Sequence, residues 1–212
     1  IMLRVHKKHP DGFDVLALQE AASGGSLSKF AQSLGMHVAV SRLADFKLHN
    51  ALLVREAESQ CRIWSWDLGC GLENRSAVGL ELAGSIFVCT HLDAYDEDLR
   101  VRQLQVLKSH LAEVFVCEET QIFLLGDFNA LRQADYSSDE WSELLSARKL
   151  AGIPSETEVT ELIDSWGWID CRSVACCAEG PTSTHRHGAR VDYMWATPVA
   201  LSQWSILQSL HL

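Results

Sequence analysis

The chain has 212 residues, with 18 Lys and Arg against 28 Asp and Glu, and so a formal charge of −10. An apolar share of 47% beside 22% charged residues is that of a single globular domain, and argues against disorder or a coiled coil. No apolar run reaches the ~18–20 residues of a membrane span, and the negative balance disfavours broad clamping of nucleic acid, which works by counterion release from Lys and Arg.

Residues 14–19 form a short apolar run between Gly12 and Glu20 and read as a buried strand. Ser26 is placed to cap a helix that passes through Phe30 and Leu34 and stops at Gly35. Residues 51–54 and 62–66 read as strands. Residues 78–82 and 85–90 read as a pair joined across Ala83-Gly84. From Asp96 to Phe115, Val101, Leu104, Leu107, Leu111 and Val114 recur at spacings of three and four, which predicts an amphipathic helix. Residues 121–125 are another buried strand. Ser138, followed by Asp139 and Glu140, is placed to cap a helix ending at Arg148-Lys149, with charges that match the helix dipole at both ends. Residues 191–196 form a last, aromatic-rich strand. The alternation predicts one layered domain over residues 1–212, and the hairpin-like pair argues against an all-parallel sheet.

Seven cysteines, at 61, 70, 89, 117, 171, 176 and 177, are odd in number, contain no CxxC and include an adjacent pair. That spacing suits neither a disulfide framework nor a zinc site. Cys89 and Cys117 lie in apolar stretches and read as buried thiols. With no apolar signal segment after the basic residues at 4–9, the expected location is intracellular and reducing.

Polar residues stand directly at the ends of four buried strands: Glu20, His91, Asp127-Phe128-Asn129 and Asp192. Loops at strand ends commonly carry ligand-binding groups on α/β scaffolds. Carboxylates suit a hard cation such as Mg²⁺, and Asp, Asn and His can activate water and clamp phosphate oxygens. Each residue also has a plainer reading. Glu20 could be a solvated charge, His91 a structural histidine, Asp127-x-Asn129 an Asx turn, and Asp192 the partner of Arg190 or Arg186 in a salt bridge.

Taken in order, the segments DVLALQE (14–20), CTHLD (89–93), LLGDFNA (124–130) and RVDYMW (190–195) resemble the endonuclease/exonuclease/phosphatase superfamily over residues 13–197. His49-Asn50, Asn74-Arg75 and the Arg100-x-x-Gln103 spacing also fit that pattern. The resemblance implies an α+β fold, a four-layer α/β/β/α sandwich of two mixed β-sheets flanked by helices. It also implies hydrolysis of a phosphodiester or phosphomonoester with Mg²⁺, or Mn²⁺, as cofactor. Glu20 then matches the metal ligand and Asp127 the residue that orients or deprotonates water. Asn129 and His91 match the phosphate-binding residues, and Asp192 the aspartate that holds a C-terminal catalytic histidine. The substrate is expected among phosphate esters of nucleic acid, inositol or lipid.

Asp135-Tyr136 and a helix carrying Trp141 resemble an uncharacterised subgroup, and Trp141 is expected to pack that helix onto the core. The loop 184–190 holds two His and two Arg, which would suit either phosphate oxygens or solvent. At both ends the pattern departs from the family. None of the first 13 residues is the Asn that closes the family's first strand, and Leu210-His211 stands where Asp-His is expected. The chain therefore reads as lacking the family's first and last strands, with impaired activity. The alternative is a non-catalytic domain that keeps the fold and binds a phosphate ligand or a protein.

Overall fold

The computed structural model describes residues 2–3, 14–22, 25–40, 48–55, 61–69, 75–115, 119–174, 183–184, 188–203 and 209–210. In chain order these form β1 (Met2–Leu3), β2 (Val15–Ala22), α1 (Gly25–Ser33), β3 (His37–Val40), β4 (Leu48–Val54), β5 (Arg62–Asp67), β6 (Ser76–Leu82) and β7 (Ser85–His91). There follow α2 (Glu97–Val114), β8 (Gln121–Asp127), α3 (Ser138–Leu150), α4 (Glu158–Ser165), β9 (Ile169–Asp170), β10 (Asp192–Ala196), α5 (Pro198–Gln203) and β11 (Ser209–Leu210).

A six-stranded sheet runs β5-β6-β7-β8-β10-β9, mixed because β7 and β8 are parallel while the other pairs are antiparallel. A three-stranded sheet, β2-β4-β3, is antiparallel, and β1 pairs with β11. Side chains alternate across a strand, so each central strand supplies two cores. Val15, Ala17, Leu52 and Val54 of the small sheet face Leu80, Phe87, Cys89, Phe123, Leu125 and Met194 of the large one. The opposite face of the large sheet, with Ile86, Val88, Leu124 and Trp195, packs on Leu104, Leu107 and Leu111 of α2 and on Val159 and Ile163 of α4. Leu16, Ala51 and Leu53 on the far face of the small sheet pack on Leu27 and Ala31 of α1. These are the four layers of an α/β/β/α sandwich, an α+β fold. No helix among the described residues is long and apolar enough to cross a membrane.

The long helix lies where the apolar spacing placed it, with Asp96 as its cap through Leu99 N–H and Phe115 as its end. Two caps differ from expectation. Ser26 lies inside α1, which begins at Gly25. The cap of α3 is Ser137 rather than Ser138, because only residue 137 has Glu140 three positions on. The Ser137 hydroxyl accepts Glu140 N–H while the Glu140 carboxylate accepts Ser137 N–H, a reciprocal capping box. Strand β3 and helices α4 and α5 were not anticipated; each is eight residues or shorter, too brief for a decisive period.

Candidate active site

The site is built at one end of the interface between the two sheets. In β2 the pairing with β4 slips between Leu18 and Ala21, and Glu20 occupies the left-handed region at φ 53°. A bulge of this kind re-aims one side chain out of the strand's alternation. Gln19 just before it points between the sheets and donates to Cys89 Sγ at 3.1 Å. The Glu20 carboxylate, 64% exposed, comes within 3.9 Å of His91 Nδ1 on the opposing sheet.

His91, Asp127 and Asp192 are paired positions on three neighbouring strands. His91 aligns with Asp127 across β7/β8, and Asp127 with Asp192 across β8/β10. All three continue the alternation of Phe87-Cys89, Phe123-Leu125 and Ala196-Met194, so they share the face directed at the small sheet. Gly126 permits the row. A Cβ there would stand 1.9 Å from the Thr90 carbonyl oxygen, so only glycine lets β8 approach β7 at this point.

The electrostatics follow from burial and like charge. His91 is buried, and its imidazole is pushed down to about 4, first by burial and then by the charge of Arg75, against a smaller opposite pull from Asp93. It is neutral at pH 7, so its 3.7 Å approach to Asp127 Oδ2 is a dipolar contact and not an ion pair. Asp127 is pushed up to about 7 by burial and by the negative charges of Asp192 and Glu20; the Asn129 N–H and Arg75 pull it the other way.

Beyond β8 the chain turns sharply. Asn129 N–H donates to Asp127 Oδ1 at 2.8 Å, with Asn129 in the left-handed region at φ 49°. The Asx turn named as the plain reading of this motif is therefore present, and it also delivers the Asn129 amide to the strand-end row. Asn129 Nδ2 donates to the Leu92 carbonyl at 3.2 Å, and Leu92 N–H donates to the Asp127 carbonyl at 3.0 Å. The turns after β7 and β8 are thus tied to each other.

The sequence-derived residues Glu20, His91, Asp127, Asn129 and Asp192 come together. Arg190, offered as a salt-bridge partner for Asp192, has other carboxylates: it grips Asp170 with two nitrogens at 2.7 and 2.8 Å and Asp135 at 3.0 Å. It reaches only the main-chain carbonyl of Asp192, at 3.2 Å. Trp141 packs against Tyr136, 5.7 Å between ring centroids, in a cluster with Leu131, Leu144 and Val191. Asn74, His185, Arg186, His187 and His211 lie outside the described residues. Arg75, noted in the sequence only as part of the Asn74-Arg75 pair, acts by its charge on both His91 and Asp127. It stands immediately before β6. Cys61, Cys89 and Cys171 are free thiols. Burial pushes the Cys89 thiol up to about 11, so it is inert as a nucleophile.

Among the described residues no three His, Cys, Asp or Glu side chains form a cluster able to hold a metal by themselves. The donor set still fits Mg²⁺ or Mn²⁺. Glu20 is open to solvent, its oxygens are hard donors, and Mg²⁺ binds through one or two carboxylates while retaining waters. The negative charge crowded on Asp127 is what a divalent cation would relieve.

No family model and no curated protein sequence matches the chain. Solved structures do. A mannosyl-6-phosphatase of Bacteroides thetaiotaomicron superposes with a TM-score of 0.62 at 15% identity, over 88% of this chain and 72% of that one. The human Nocturnin catalytic domain superposes with a TM-score of 0.58 at 16% identity, over 87% and 69%. An endonuclease/exonuclease/phosphatase family protein of B. thetaiotaomicron gives 0.62 at 15%, over 88% and 70%.

Proposed function

We propose that this chain, which has the endonuclease/exonuclease/phosphatase fold, hydrolyses a phosphate ester with the help of Mg²⁺ or Mn²⁺. The observation that carries the reading is the row His91–Asp127–Asp192, faced across the sheets by Glu20 and closed by Asn129. Similarity to a sugar phosphatase supports a phosphate ester as the substrate class.

Glu20 would hold the cation, which polarises a phosphate oxygen when bound. One Asn129 N–H is taken by the Leu92 carbonyl, which fixes the amide; the second N–H is free to meet a non-bridging phosphate oxygen. Neutral His91 serves as a further donor at the same phosphate. Asp127 takes a proton from the attacking water as the new O–P bond forms. The P–O bond to the alcohol then breaks, and the alcohol leaves with a proton from solvent. The negative charge of Asp192 raises the Asp127 carboxyl and so strengthens it as a base.

The test is turnover of a panel of phosphomonoesters and phosphodiesters with Mg²⁺ and with EDTA. Asp127→Ala is expected to lower kcat about 10²–10⁴-fold. Turnover in EDTA, or turnover unchanged in Asp127→Ala, would overturn the reading. A binding domain that retains the fold is the second reading, favoured by the lack of a three-ligand cluster among the described residues. Phosphate binding in a folded protein that neither binds Mg²⁺ nor turns over any ester would select it.

A further inference from the structure

We infer that Tyr95 is a stacking platform that selects phosphate esters carrying a planar aromatic ring, such as a nucleoside phosphate; this rests on the phosphoesterase reading above. Tyr95 is 80% exposed and is the only aromatic side chain among the described residues that is more than half exposed. It follows His91 by four residues, on the turn that leaves β7 at the end of the sandwich where the strand-end row stands. Consecutive Cα atoms are 3.8 Å apart, so Tyr95 lies within about 11 Å of Leu92, whose carbonyl holds the Asn129 amide. That upper bound is short enough for a nucleoside to bridge from a phosphate held at Asn129.

The turn is rigid. Asp93 is buried, and its Oδ1 accepts the N–H groups of both Tyr95 and Asp96 at 2.8 and 2.9 Å. Its own N–H donates to Gln103 Oε1 at 2.9 Å, and its carbonyl accepts Arg100 Nη1 at 3.0 Å. Gln103 and Arg100 are themselves buried in α2. An exposed aromatic on an immobilised backbone loses little freedom on binding, since only two side-chain torsions must settle. The hydrogen bonds of Leu92 with Asn129 and Asp127 tie the start of this turn to the strand-end row. The acidic residues beside it, Asp96, Glu97 and Asp98, and the overall charge of −10 oppose a long polyanion and favour a mononucleotide or a short single-stranded end.

The experiment compares adenosine monophosphate with glycerol phosphate as substrates of wild type, Tyr95→Ala, Tyr95→Trp and Asp127→Ala. Binding of adenosine monophosphate against inorganic phosphate is measured calorimetrically in the same proteins. Base–aromatic stacking predicts a rise of about 10–100-fold in KM and in Kd for adenosine monophosphate in Tyr95→Ala. Values for glycerol phosphate and inorganic phosphate should be unchanged, and Tyr95→Trp should restore the preference. Equal effects on both esters, or none on either, overturn the role of Tyr95 while Asp127-dependent turnover leaves the phosphoesterase reading standing. Loss of that reading would appear separately, as turnover indifferent to Asp127→Ala.

Discussion

Asp127 stands where burial and the charges of Asp192 and Glu20 all oppose its ionised form, and its proton is held up to about 7. The linkage has a definite sign. A carboxyl whose folded-state value is raised adds stability below its unfolded value near 4, and that stability is lost as pH climbs through about 7. Asp127→Asn keeps the oxygen that accepts Asn129 N–H and removes the titration. In EDTA at pH 8 it should be more stable than wild type by about 2–4 kcal/mol, with the gain vanishing near pH 4, as thermal unfolding at the two pH values would read. Such a gain would mark Asp127 as a residue kept at a cost in stability. At this scale Asp127-x-Asn129 was legible from short polar residues directly after a buried strand. The electrostatic reach of Arg75 was not, because its charge matters through neighbours on other strands.

Helix α2 carries its apolar stripe to the large sheet, and its first turns also organise the site. Gln103 and Arg100, one helical turn apart, hold Asp93 and with it the turn after β7. Arg100 is in turn paired with Glu156. Gln103→Leu would leave the buried Asp93 N–H without its acceptor, at a cost of about 1–3 kcal/mol in urea unfolding. Ser137→Ala would remove the capping box of α3 for about 1 kcal/mol, and would leave the site's tie between Leu92 and Asn129 untouched. The long helix could be read to its caps from period alone. The short elements could not, and the bulge at Glu20 leaves no mark in the local sequence, since it exists only as a slip of β2 against β4.

Across the molecule, an ionic cluster joins the segment after β8, strand β9 and the start of β10. Arg190, buried, binds Asp170 and Asp135, while Arg132 grips Asp164 and approaches Asp170 at 3.6 Å. Burial alone would lower the Arg190 value, but the adjoining carboxylates hold it above the usual arginine range. Asp170→Asn, which strips a buried charge of its bidentate partner, should cost about 3–5 kcal/mol. The paired replacement Asp170→Leu with Arg190→Met removes both charges of the bidentate pair but also takes Arg190 from Asp135, leaving that carboxylate Arg132 at 3.9 Å, so the two single costs should not add. A double-mutant cycle in urea checks both.

Composition and period by themselves determined a layered α+β fold, its main strands, the span of α2 and the polar residues that stand at the strand ends. Apolar alternation and helical spacing are local, so they can be read along the chain. Register is not local. Only the tertiary structure decided that His91, Asp127 and Asp192 form one row, that a bulge turns Glu20 toward them across a second sheet, and that Arg190 serves other carboxylates than Asp192. The acidic balance gained the same kind of sharpening: Glu20, Asp127 and Asp192 stand together, where burial and then mutual repulsion push the Asp127 carboxyl up to about 7.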